Sequence, residues 1–149
     1  MIIDNMKAKG RLNIVLKDEN GNIKETREVD NLVVSSGLDY IASRMKDATA
    51  TAMSHMALGS GTTAAAAGDT DLESVLGSRE ALDSTTVTDN TVQYISSFEA
   101  GDATGAVTEA GIFNAATSGT MLCRTVFSVV NKGANDTLSI TWTITLSAS

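Results

Sequence analysis

From Leu138 to Leu146 the chain reads LSITWTITL: Leu138, Ile140, Trp142, Ile144 and Leu146 alternate without a break with Ser139, Thr141, Thr143 and Thr145. Successive side chains of a strand point to opposite faces, so this segment has one apolar face and one hydroxyl face. A helix, turning every 3.6 residues, would scatter both sets around its circumference. The C-terminal region is thereby committed to a sheet with one buried side.

The same period recurs elsewhere. Leu12, Ile14 and Leu16 alternate with Arg11, Asn13 and Val15, a strand that runs into Asp18-Glu19-Asn20-Gly21-Asn22. Asn-Gly is a strong hairpin signal. The return strand, Ile23 to Val29, carries Lys24, Glu25, Arg27 and Glu28 on both faces, which places it at a sheet edge or against solvent. One helix is expected at about 36–46, with Ser35 or Ser36 as N-cap and a stripe of Leu38, Ile41, Ala42 and Met45. Too short to stand alone, it must pack on a sheet. Residues 53–58 read as a short strand and 59–71 as a long irregular loop. Leu72, Val75 and Leu76 suggest a helical turn before Gly77. Further strands are expected at 91–99, 110–113, 121–130 and 138–146. With no proline in the chain, Gly, Asn, Asp and Ser must make the turns between them. The expected fold is mainly β: an antiparallel β-sandwich or rolled, jelly-roll-like sheet with the one short α-helix. An N-terminal arm, 1–9, precedes a single β-rich domain, 10–149.

The chemistry-bearing residues are few. The net charge of −7 argues against nucleic acid as a partner. It is unevenly spread: residues 1–46 hold eight basic and seven acidic groups, residues 47–149 three basic and eleven acidic. Cys123, the one cysteine, sits in an alternating apolar run and reads as a small core residue rather than a nucleophile. His55, the one histidine, has no nucleophile elbow to serve, and a single His with a single Cys cannot make a zinc site. In Asp18 to Asn22 the glycine is misplaced for a calcium loop, with Ile23 where the turn glycine belongs and Val29 where the terminal glutamate belongs; in the acidic group Asp69, Asp71 and Glu73, a helix-start role for Asp71 suits better than a metal. Gly59-Ser60-Gly61-Thr62-Thr63 lacks the lysine of a phosphate cradle and reads as a loop that is either mobile or ordered by a partner. The opening MIIDNMKAKG has no signal-peptide pattern, and no apolar run approaches the roughly 20 residues of a membrane span. The expectation is a complete chain folded in a cytosol, with no enzymatic activity, cofactor, metal or membrane partner.

Four segments, in order, carry a resemblance: NLVVSSGLDYIASRM (31–45), MALGSGTTAAAAGDTDLES (56–74), EAGIFNAATSGTMLCRTVFS (109–128) and LSITWTITL (138–146). With the opening hairpin they resemble small virion structural proteins of tailed bacteriophages, variously of head-decoration or tail-fibre-like type. The resemblance implies a β-rich assembly protein without catalytic residues. Within such virions a compact domain with no room for the long shaft of a host-reaching fibre is expected to be a capsid decoration (cement) protein, a homotrimer on the outer capsid surface, whose partners are the major capsid protein and copies of itself. A tail, baseplate or fibre-attachment component is the alternative, and a carbohydrate-recognition module a more distant one. Candidate contact residues are Lys7, Lys9 and Arg11 on the first strand, and Gly59, Ser60, Gly61, Thr62 and Thr63 in the loop. The hydroxyl face of 139–145 reads either as a seam between subunits or as a plain solvent face. Trp142, in the apolar register, is expected to be buried and so withheld from sugars.

Overall fold

The computed structural model describes residues 5–46 and 50–148. The elements are β1 (Met6–Lys17), β2 (Ile23–Val33), α1 (Ser35–Ser43), β3 (His55–Gly59), β4 (Glu80–Ala81), β5 (Ser84–Thr88), β6 (Thr91–Phe98), β7 (Gly105–Phe113), β8 (Met121–Lys132) and β9 (Thr137–Ala148). All nine strands join one antiparallel sheet in the order β4-β3-β7-β8-β2-β1-β9-β6-β5. The fold is mainly β, an antiparallel sheet curled into a half-barrel with one short helix, as expected of a β-sandwich or rolled sheet.

The alternating pattern of β9 explains the curl. Leu12, Ile14 and Leu16 of β1 stand opposite Trp142, Ile140 and Leu138, while Tyr94 and Phe98 of β6 flank Trp142 and Leu138 from the other side. These side chains are buried together in the main core, on the inside of the curl. Each contributes about 1.5–3 kcal/mol of transfer free energy. The sheet's two end strands are neighbours in sequence: the chain leaves β4 and starts β5 after Leu82 and Asp83. Leu82 N–H donates to Ser54 O just before β3, and Asp83 N–H donates to Ile95 O of β6, so this crossing ties one end of the sheet to the other.

Several expectations need correction. Met6 to Lys9 are not an arm; they pair in register with Thr145 to Ala148 of β9, which supplies partners for their backbone groups. Residues 1–4 of the expected arm lie outside the described residues. The helix spans Ser35–Ser43, shorter than 36–46, and Val34 is its N-cap, with no side-chain capping bond. Ser36 Oγ instead donates to Met121 O across to β8. Of the expected stripe Ile41 packs on the main core, but Leu38 is 49% and Met45 86% exposed, whereas Gly37 is buried. A Cβ on Gly37 would run into the Leu122 carbonyl, so the missing side chain lets α1 lie directly on β8. No helical turn forms at Leu72, Val75 and Leu76; Leu72 is buried, and Val75 bridges to Gly59.

The charged strand β2 is internal in the sheet order, but its ladder to β8 consists of Leu32 and Val33 alone, opposite Arg124 and Cys123. Farther out the two strands diverge. Arg27 spans the gap, donating from Nη1 to Ser128 O and from Nη2 to Val129 O at 2.9 and 3.0 Å, with Glu25 beside it. The edge character read from its charges is therefore real along most of β2.

Candidate functional site

β3, β7 and β8 are covered on both faces. Toward the main core they present Met56, Leu58, Ala110, Ile112 and Cys123. On the other face a second cluster, Val34, Ala57, Leu72, Phe113 and Met121, lies under the irregular segment 60–79. Arg79 stacks its guanidinium 3.6 Å from the centre of the Phe113 ring. Burial holds the Arg79 pKa below its usual value, with Asp71 opposing that shift.

Beside this cluster lies a buried ion pair. Glu109 of β7 is 0% exposed and Arg124 of β8 is 2% exposed. Glu109 Oε2 accepts from Gly61 N–H and Ser74 N–H at 2.7 and 2.8 Å, and Oε1 accepts from Glu73 N–H at 2.9 Å. Arg124 Nε donates to the same Oε1 at 3.0 Å, and Nη2 also lies 3.0 Å from it. The guanidinium then reaches Asp69 Oδ2 and Thr63 O. Three backbone donors and one cation thus neutralise a carboxylate that burial would otherwise make very costly. The pair nails both ends of the 61–74 loop to the sheet. Glu73 closes the tip: its carboxylate accepts from Thr62 and Thr63 N–H, and hydrogen bonds from Thr63 and then Thr62 hold its pKa down.

Gly59 and Gly61 are therefore buried parts of this anchor. A Cβ on Gly59 would sit 2.6 Å from Glu109 Oε2, and Gly61 is as close. Ser60 is half-buried, with its hydroxyl on Ser74. Thr62 and Thr63 are exposed and form the accessible tip. Neither Glu109 nor Arg124 was singled out from sequence. The available signal was one charge of each sign inside two otherwise apolar strands, EAGIF and MLCRTVF.

Lys7, Lys9 and Arg11 are all exposed and lie on the face of β1 opposite the main core. They stand across from Ser147, Thr145 and Thr143 of β9, so the basic row and the hydroxyl row adjoin. Arg11 Nη2 meets Glu28 at 2.7 Å on the neighbouring strand. A groove of about 830 Å³ runs along this face between Lys9, Arg11, Glu28, Gln93, Thr143 and Thr145. β1 and β3 are separated in the sheet by β7, β8 and β2, so the basic row and the loop tip form two surfaces.

The remaining polar groups have local duties. Asp18 Oδ1 accepts from Asn20 and Asn22 N–H, the turn geometry expected of the hairpin, and those bonds, Asn22's first, lower its pKa. His55 Nδ1 meets Ser54 Oγ at 2.8 Å. Asp69, Asp71 and Glu73 turn to different donors: Ala66 N–H and Arg124, Leu72 N–H and Arg79, and the loop tip. Burial raises the Cys123 pKa well above its usual value. Trp142 is 0% exposed, and among the described residues its Nε1–H meets no acceptor. Among the described residues no group of three or more His, Cys, Asp or Glu could hold a metal, and no helix is long and apolar enough to cross a membrane.

Comparison with protein-family models, with curated proteins and with solved structures finds no match for this chain.

Proposed function

We propose that this chain is a bacteriophage virion structural protein, a capsid decoration (cement) protein that bridges and stabilises capsid subunits on the outer shell. The observation that carries the reading is the buried Glu109–Arg124 pair, which fixes a long irregular loop in one shape and presents Thr62 and Thr63 at its tip. Holding an exposed loop rigid at the expense of two desolvated charges lowers the entropy lost when that loop meets a partner. The row Lys7, Lys9 and Arg11, on a strand paired with β9 along its whole length and with β2 from Gly10 onward, is a second surface of fixed geometry. Two such surfaces on one small module suit bridging between neighbouring subunits. Each contact is modest, but every copy that bridges two capsid subunits adds avidity and shifts assembly by mass action. The four segments that resemble tailed-phage virion proteins include both the loop and the strands that hold it.

The test mixes purified protein with expanded, undecorated capsids and follows co-sedimentation. The expected result is saturable binding that weakens with salt, as contacts through exposed lysine and arginine should. Absence of binding at any salt removes the capsid reading. Copurification with tails would favour the tail or baseplate alternative instead.

A further inference from the structure

The β4–β5 crossing links the two end strands of the half-barrel. An apolar groove of about 490 Å³ runs between β5 and α1, lined by Met6, Tyr40, Met45, Val87 and Leu146, with Arg44 its one charged lining residue. β5 forms one wall. Among the described residues it pairs on one side only, with β6, so its other edge offers unpaired backbone groups. All five of its residues, Ser84 to Thr88, are exposed, and Val87 is 70% exposed. Natural edge strands are usually blunted by an inward charge, a proline, a bulge or a covering segment. β5 carries no charge and no proline, and its register with β6 is unbroken. Charge appears at its two ends instead, in exposed Asp83 and Asp89.

We propose that this edge takes an extended strand from a partner protein, apolar at alternate positions and basic at both ends. Backbone groups of the incoming strand would continue the sheet beyond β5, and its alternate side chains would enter the groove beside Thr85 and Val87. The basic ends meet Asp83 and Asp89. The same two acids disfavour the most symmetric self-pairing: an antiparallel β5–β5 ladder centred on Thr86 sets Asp83 of each copy against Asp89 of the other. The inference rests on the edge and its groove, and holds whatever particle supplies the partner.

The probe is a synthetic peptide of alternating valine and threonine with a lysine at each end, compared with one bearing glutamate at both ends. Binding to the full chain is read by fluorescence anisotropy and by amide exchange. Saturable binding of the lysine peptide is expected, with slowed exchange at Ser84 to Thr88 and affinity on the order of tenfold above the glutamate peptide at low salt. Val87→Lys should abolish binding while the fold persists, since Val87 is exposed. Asp83→Asn with Asp89→Asn should erase the preference between peptides. Equal affinity for the two peptides, binding without protection of 84–88, or no binding would overturn the proposal. So would a wild-type dimer that Val87→Lys dissolves, which would assign the edge to a second copy.

Discussion

Replacing Glu109 by glutamine keeps the side chain's shape and removes its charge. One oxygen remains as acceptor; the new amide NH2 must face either Gly61 and Ser74 N–H, or Glu73 N–H and the Arg124 guanidinium. Two hydrogen bonds to a charged acceptor are lost, at about 1.5–3 kcal/mol each. Arg124, 2% exposed, is left beside Asp69 and Thr63 O without its fully buried carboxylate partner. Breaking one member of a buried pair typically costs about 3–5 kcal/mol, in agreement with the bond estimate. For a domain of this size that corresponds to a fall in Tm of roughly 6–20 °C. Urea unfolding gives the total, and amide exchange locates it: Gly61, Glu73 and Ser74 should lose protection well beyond the amides of Ile140 to Ile144. A double-mutant cycle with Arg124→Met should return a coupling of about 1–3 kcal/mol. A change under about 0.5 kcal/mol, or unaltered exchange at Gly61, Glu73 and Ser74, would refute the claim that this pair holds the loop.

Gly37→Ala drives a methyl group into the Leu122 carbonyl and should cost about 1–3 kcal/mol, read as a lower urea midpoint, with α1 amides exchanging faster. Asp136, paired with Lys24 and accepting from Gly133 N–H, joins Asp18 and Glu73 in having a pKa below the usual carboxylate value. At these three sites the unfolded chain therefore takes up protons first as pH falls; the stability they contribute is full above about pH 4.5, the ordinary Glu value, and declines below it. Asp136→Asn should flatten that acid limb in urea midpoints measured against pH, and an unchanged slope would count against the assignment. Converting Lys7, Lys9 and Arg11 together to glutamate should leave the Tm nearly unchanged, because the Arg11–Glu28 pair is exposed and such pairs contribute about 0–1 kcal/mol. Capsid association in the co-sedimentation assay should disappear in that variant.

Period-two sorting was enough to read the strands of the core. Leu12, Ile14 and Leu16, and Leu138, Ile140 and Trp142, carry their burial in local alternation, and the Asn20-Gly21 turn carries its hairpin in two residues. Cys123 and Trp142 were legible as core residues for the same reason. Where local and tertiary demands diverge, the reading failed. Leu38 and Met45 looked like the packed stripe of α1, but a glycine permits closer approach than any side chain, so the helix turned Gly37 inward. Met6 to Lys9 looked unpatterned because their partners lie at the far end of the sequence, Thr145 to Ala148.

The candidate site divides along the same line. The loop and the basic row could be located from composition, since glycine clusters and lysines announce themselves locally. Which loop residues are exposed, and what fixes them, depended on Glu109 and Arg124 meeting across two strands, and a charge inside an apolar run does not reveal its counterion. What the chain by itself determined was a β-rich sheet with one apolar face, because alternation is a property of neighbouring residues. The order of the strands, the open edge at β5 and the buried pair under the loop were decided in three dimensions, where contacts between residues far apart in the chain set the energy.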